Sequence, residues 1–224
     1  MSEWQDWHMD TDMWADDSAD IDKKEGKTAG KKNHRRRCAV CELTEEYLYR
    51  RAWSESQILD LIGMEGLKSG VSYHVITGGD IDQTAWIRIM LRFVPQIDNL
   101  FISSWVVAGE EVTWFDEMMK SGRIHSLTIL TGDIFPRQYR IEYQMCCTMI
   151  EKYEGRMHVY SSRSHAKIIA GCGGGRYFTI ESSANCNTNR RIEQAVVASS
   201  RELYEFYVGY FDTLVKDEDI DRSE

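Results

Sequence analysis

Past residue 44, apolar residues fall into two alternating rhythms. Short runs or period-two blocks give way to blocks spaced three and four apart. Ser54 with Gln57 has capping-box spacing ahead of Ile58, Leu59, Leu61 and Ile62, which predicts a short helix. Residues 71–76 (Val-Ser-Tyr-His-Val-Ile) predict a strand, and Thr77-Gly78-Gly79-Asp80 a turn. Trp86, Ile87, Met90, Leu91 and Val94 then predict a helix ending at Pro95. The rhythm repeats. Residues 99–107 are an apolar strand, and Thr113 to Asp116 is expected to cap a helix bearing Trp114, Phe115, Met118 and Met119 that Gly122 closes. Residues 126–130 are a strand, and Tyr139, Tyr143, Cys146, Ile150 and Tyr153 mark a helix that Gly155 closes. Strand alternating with helix implies a largely parallel or mixed sheet.

The last third reads differently. Met157–Ser161, His165–Ala170, Tyr177–Glu181 and Ile192–Ala198 are four strands in close succession, with hairpin pairing the natural expectation. Ser199 and Glu202 form a second capping box. Leu203, Phe206, Tyr207, Tyr210, Phe211 and Leu214 make one amphipathic face, expected to cover the sheet. The fold class is therefore α/β, with a mixed sheet of about seven strands flanked by helices on both faces.

Composition changes this picture mainly at the ends. The 224 residues are 42% hydrophobic, enough for a sizeable core, and the net charge is −9. Residues 1–22 carry eight acidic and no basic residues, whereas 23–37 carry eight basic and one acidic. The expected organisation is a disordered, charged arm over 1–43, a globular domain over 44–215 and an acidic tail over 216–224. Trp4, Trp7 and Trp14 in the arm have the spacing of one helix face suited to docking on a partner, or belong to a sticky acidic tail. No apolar run is long enough to span a bilayer and no export signal is seen, so a cytoplasmic protein with reduced thiols, away from membranes, is expected. Cys38 and Cys41, with His34 upstream, have the spacing of half a zinc site. They are weak metal candidates, because no second CxxC follows, and no cofactor is expected.

Chemistry concentrates in residues 165–193, HAKIIAGCGGGRYFTIESSANCNTNRRIE. His165 and Lys167, two apart on an expected strand, share a face. A neighbouring strand ends in Ser182-Ser183-Ala184-Asn185, and Glu193 opens the next. Adjacent strands would gather His165, Lys167, Ser183, Asn185 and Glu193 at one point. An imidazole there serves as nucleophile or general acid, and a lysine supplies charge to a phosphoryl group. Amide and hydroxyl groups hydrogen-bond its oxygens, and a carboxylate fixes the histidine tautomer. The glycines of 171–175 lack the lysine-serine ending of a P-loop and read as a hairpin turn.

His165-Ala166-Lys167 followed by Ser182-Ser183-Ala184-Asn185 resembles the phospholipase D superfamily, whose signature is HxKxxxxD and a GSxN-like segment. Glu193 matches an acidic residue often found shortly after. The resemblance covers about residues 71–215 and implies a phospholipase D-like fold and a metal-independent phosphodiesterase. His165 would attack phosphorus to give a phosphohistidine. Lys167 and Asn185 would hold the non-bridging oxygens with support from Ser183, and Glu193 would orient His165. Two departures stand out: serine replaces the signature glycine at 182, and Cys172 occupies the position of the family aspartate. One motif supplies one histidine while the family chemistry uses two, so a homodimer is implied. Failing that, His74, His125 or His158 would serve as the second acid. Arg163, Arg176, Arg190 and Arg191 flank the motif and favour nucleic acid as substrate and partner. The alternatives are a catalytically silent relative that binds nucleic acid or protein through the same cleft, and a phospholipase.

Overall fold

The structure, a computed structural model, describes residues 45–63, 65–187 and 191–221. The arm, with His34, Cys38, Cys41 and its three tryptophans, lies outside them, as does Arg190. The elements run α1 (Glu45–Ile62), β1 (Ser72–Thr77), α2 (Gln83–Met90), β2 (Ile97–Ser104), α3 (Gly109–Lys120), β3 (Ile124–Gly132), α4 (Phe135–Gln138), α5 (Arg140–Lys152), β4 (Met157–Ser162), β5 (Ile168–Gly173), β6 (Arg176–Ser182), β7 (Glu193–Ala198) and α6 (Arg201–Asp221). The fold is α/β, and the seven strands form one mixed sheet in the order β1-β7-β6-β5-β2-β3-β4.

Strand directions decide where chemistry can be assembled. β2, β3 and β4 are mutually parallel, β5 is antiparallel to β2, and β6, β7 and β1 follow by antiparallel pairing. The carboxyl ends of β1, β2, β3, β4 and β6 therefore share one edge of the sheet with the amino ends of β5 and β7. Loops leaving five strands and entering two meet there, the usual place for a ligand crevice in open α/β sheets.

Helices lie on both faces. On one, Phe211 of α6 stacks on Phe101 of β2 at 5.4 Å, and the Tyr204 and Tyr177 rings lie 5.2 Å apart. On the other, Phe178 of β6 borders a cavity with Met90 at the end of α2 and Phe93 just beyond it. Leu100, Ile102, Leu127, Ile129, Ile169 and Ile180 fill the core between the sheet and the α2 side.

Several local expectations are corrected. Ser54 sits inside α1, which starts nine residues earlier, so its capping-box pattern caps nothing. Thr113 is likewise inside α3, where its hydroxyl donates to the Gly109 carbonyl. The cap of α6 is Ser200 and not Ser199: the Leu203 N–H donates to the Ser200 Oγ at 3.1 Å, while Ser199 donates to the Tyr177 carbonyl. The acidic segment after 215 is helical as far as Asp221. Of the six apolar residues assigned to the covering face of α6, Phe211 is fully buried, whereas Leu203, Phe206 and Tyr210 are exposed. β4 makes no hairpin with β5. It lies at the far edge beside β3, because the loop over 163–167 carries the chain back across the sheet.

The glycine-rich stretch resolves into two parts. Gly171 and Gly173 belong to β5, and Gly174-Gly175 alone make the turn to β6. Both turn glycines have positive φ (57° and 76°), the geometry that two-residue hairpins with right-handed strand twist require.

Candidate active site at the carboxyl end of the sheet

His165 and Lys167 stand on the loop just before β5 and not on the strand itself. The loop is tied down at two carbonyls. The Ser103 hydroxyl at the end of β2 donates to the Ala166 carbonyl at 2.9 Å, and the Ser182 N–H at the end of β6 donates to the Lys167 carbonyl at 3.0 Å. The second bond joins the two halves of the motif directly. Lys167 folds back over its neighbour. Its Nζ lies 2.8 Å from His165 Nδ1, 3.2 Å from Nε2 and 2.8 Å from the His165 carbonyl oxygen. Partial burial lowers the Lys167 pKa, and the Glu193 charge opposes that shift.

Ser183 and Glu193 form a pair across the β6–β7 connection. The Ser183 hydroxyl donates to Glu193 Oε2 in a very short contact and accepts from the Gln194 N–H at 3.0 Å. A hydroxyl has one proton to give, and here it goes to the carboxylate. Glu193, expected beside the histidine, therefore acts on Ser183 by hydrogen bond and on Lys167 by charge.

Asn185 is held at two atoms. Its backbone carbonyl accepts from the Gln83 N–H at 3.2 Å, and its side-chain Oδ1 accepts from the Trp105 N–H at 3.0 Å. Because a backbone N–H must find an acceptor, the amide orientation is fixed, and Nδ2 remains the group available to donate. Beneath this lies a polar layer. Gln83, wholly buried at the start of α2, donates through Nε2 to the Ser103 carbonyl and accepts from Cys186 Sγ. Asp82 caps α2 by accepting from the Ala85 N–H at 2.7 Å. Glu111, only 2% exposed, pairs with Arg88 at 3.1 Å, and burial raises its pKa. Burying such groups is costly without partners, so this layer fixes the loops above it.

His165, Lys167, Ser183, Asn185 and Glu193 all lie along this one sheet edge. Other candidates lie elsewhere. His125 is seven residues before the end of β3, about 23 Å away along the strand at the usual rise. His74 is about 10 Å short of the end of β1, and His158 about 13 Å short of the end of β4. Arg176 begins β6 at the opposite edge, where it donates to the Glu65 carbonyl. Arg163 and Arg191 do stand at the site edge. Cys172 is on the α6 face of β5, against the Tyr204 hydroxyl at 3.3 Å and Asn99 Nδ2 at 3.8 Å. It packs sheet to helix and takes no part in the cluster. Asp133 and the Gly78-Gly79-Asp80 turn border the same edge.

Sequence reasoning missed Trp105, Gly132, Ser103 and Gln83. The apolar pattern places Trp105 in a strand, yet it stands on the loop after β2, and its ring centroid is 5.1 Å from that of His165, tilted by 54°. A side chain at Gly132 would collide with the six-membered ring of that indole. The sequence signal was there in principle: a tryptophan and a Gly-Asp at the ends of two adjacent parallel strands.

Among the described residues, no group of three or more His, Cys, Asp or Glu is placed to hold a metal ion, and no helix is long and apolar enough to cross a membrane. No protein-family description and no curated protein matches the sequence. Among solved structures the chain is similar to TrmBL2, an archaeal chromatin protein with a described mode of DNA binding. The identity is 13% over 77% of this chain and 64% of that one, with a TM-score of 0.44. It is also similar to phosphatidylserine synthase of Haemophilus influenzae, at 14% identity over 71% of this chain and 43% of that one, with a TM-score of 0.44. The chain thus spans less than two thirds of either protein. What those proteins bind or make is a property of each.

Proposed function

We propose that the protein is a phosphodiesterase that forms a phosphohistidine at His165, acts as a homodimer and cleaves nucleic acid. The observation that carries this reading is the convergence of His165, Lys167, Ser183, Asn185 and Glu193 where seven strand ends meet. A ring nitrogen of His165 attacks phosphorus, and the bond to the leaving oxygen breaks. That oxygen takes a proton from the His165 of a second copy across a two-fold axis. Water then attacks the phosphohistidine and gives its proton back to the second histidine, and the phosphorus–nitrogen bond breaks. Lys167 turns from the imidazole to a non-bridging oxygen as charge develops there, and Asn185 Nδ2 donates to another. Glu193 holds Ser183 and keeps Lys167 cationic. Arg163, two residues before His165, and Arg191, two residues before Glu193, are suited by charge to phosphates flanking the scissile one, which favours a polynucleotide.

The test is cleavage of bis-nitrophenyl phosphate and single-stranded DNA in the presence of EDTA. His165→Ala should lower it by more than about a hundredfold. Activity that survives the substitution, or that needs added metal, contradicts the mechanism.

A second reading has one observation in its favour. His165 is the one histidine at the site edge among the described residues, so a monomer would lack the leaving-group acid and would bind without cleaving. Sedimentation at micromolar concentration separates the two, with a dimer supporting catalysis.

A further inference from the structure

We infer that Trp105 is the positioning residue of this site, setting the His165 ring through its indole and the Asn185 amide through its backbone, with Gly132 as its seat. It contacts both halves of the motif. β2 ends at Ser104, so Trp105 is the first residue of the loop over the carboxyl edge. Its N–H donates to Asn185 Oδ1 at 3.0 Å, and its carbonyl accepts from the Gly132 N–H at 3.1 Å. Both backbone groups are thereby fixed, which fixes the direction in which the side chain leaves. The indole then lies over Gly132 so closely that no Cβ fits between them. A bulky ring seated on backbone has little freedom to rotate, and the His165 ring rests 5.1 Å from it. The ring also meets Lys167, a long side chain on the same loop that must move when substrate arrives. The rigid reference for the imidazole is therefore Trp105.

This assigns a reason to Gly132 that local backbone geometry does not, since its φ is outside the left-handed region. It also explains why Asn185 presents Nδ2 and not Oδ1 to the cleft. Trp105 touches no reacting atom in this account. It acts through His165 and Asn185.

The kinetic arm of the test rests on the proposed phosphodiesterase, and a second arm does not. Gly132→Ala pushes the indole off its seat without altering any residue of the cluster. Turnover of bis-nitrophenyl phosphate should fall on the order of a hundredfold with KM nearly unchanged and the protein still folded at the assay temperature, as for a small misplacement of a reacting group. Adding Trp105→Leu to Gly132→Ala relieves the collision, and the doubly substituted protein should recover part of the turnover that Gly132→Ala alone loses. The second arm reads the ring proton resonances of His165, assigned by their loss in His165→Asn. The ring current of Trp105 displaces them, and they should shift in both Gly132→Ala and Trp105→Leu. Trp105→Phe, a milder change, covers the case in which the larger ones do not fold. His165 resonances that ignore all three changes overturn the inference. So does a KM that rises while turnover holds, which would make the indole a substrate-stacking wall. If the wild-type protein cleaves nothing, the proposed function fails, and the resonances alone decide the role of Trp105.

Discussion

A single proton on Ser183, already given to Glu193, changes which groups remain for a substrate. Lys167 and Asn185 Nδ2 are the donors left, and each supports a prediction. Burial lowers the Lys167 pKa, so the ammonium is lost at a lower pH than an ordinary lysine near 10.4 would lose it. If catalysis needs the cation, activity should fall on the alkaline side before that value, and Lys167→Arg should remove the alkaline limb while lowering the rate. A pH–rate profile of both proteins checks this, and an unchanged limb in the arginine protein would assign it to another group. Asn185→Asp keeps the acceptor for the Trp105 N–H but replaces the amide donor with a charged oxygen facing phosphate. Activity should fall by about two to three orders of magnitude, the usual loss for a donor to a developing oxyanion, with the melting temperature little changed. Loss of folding in place of loss of rate would give Asn185 a structural role only. At this scale the cluster was legible, because HxK and SxN are local patterns. The partner of Glu193 and the contribution of Trp105 were not, since both depend on side chains meeting across loops distant in sequence.

Helix starts were the least legible elements. Ser54 and Thr113 carry capping patterns inside helices, because packing of α1 and α3 extends each helix beyond what its local signal specifies. Strands were read well where apolar runs are dense, as in β3 and β6, whereas the expected strand over 99–107 runs three residues past the end of β2 at Ser104 because Trp105, Val106 and Val107 continue the apolar run into the loop. β5 was begun too early, since His165 and Lys167 alternate with Ala166 like strand residues, while the structure bends there to reach Ser103 and Ser182. The glycines of β5 give a test at this scale. A side chain at Gly171 would meet the ring of Phe178, which can shift, whereas one at Gly173 would meet the backbone of Gln96 and Ile97, which cannot. Gly173→Ala should therefore destabilise by more than Gly171→Ala, with overpacking penalties of about 1–3 kcal/mol as the scale. Thermal or denaturant unfolding of the two proteins measures the order, and the reverse order would mean that the β5–β2 pairing is looser than described.

The whole molecule places its chemistry by topology. Five strands ending and two beginning at one edge bring together residues as far apart as Gln83 and Glu193, and the α6 face on the other side of β5 receives Cys172. That position, where the resembled family has aspartate, is out of reach of the cluster, and the cysteine there bears on the packing of sheet to helix. The α/β class and the strand number were legible from the alternation of periods. The placement of β4 at the far edge was not, because nothing in a strand's own residues says that the loop after it crosses the sheet. The central claim is covalent: phosphorus becomes bonded to His165. The most direct measurement is acid quenching avoided and alkali used, since phosphohistidine survives base, after brief mixing with a ³²P-labelled diester, followed by peptide mapping. The account predicts one labelled peptide containing His165, absent from His165→Asn. A protein that turns over the same diester yet yields no labelled histidine, or carries the label elsewhere, would contradict it.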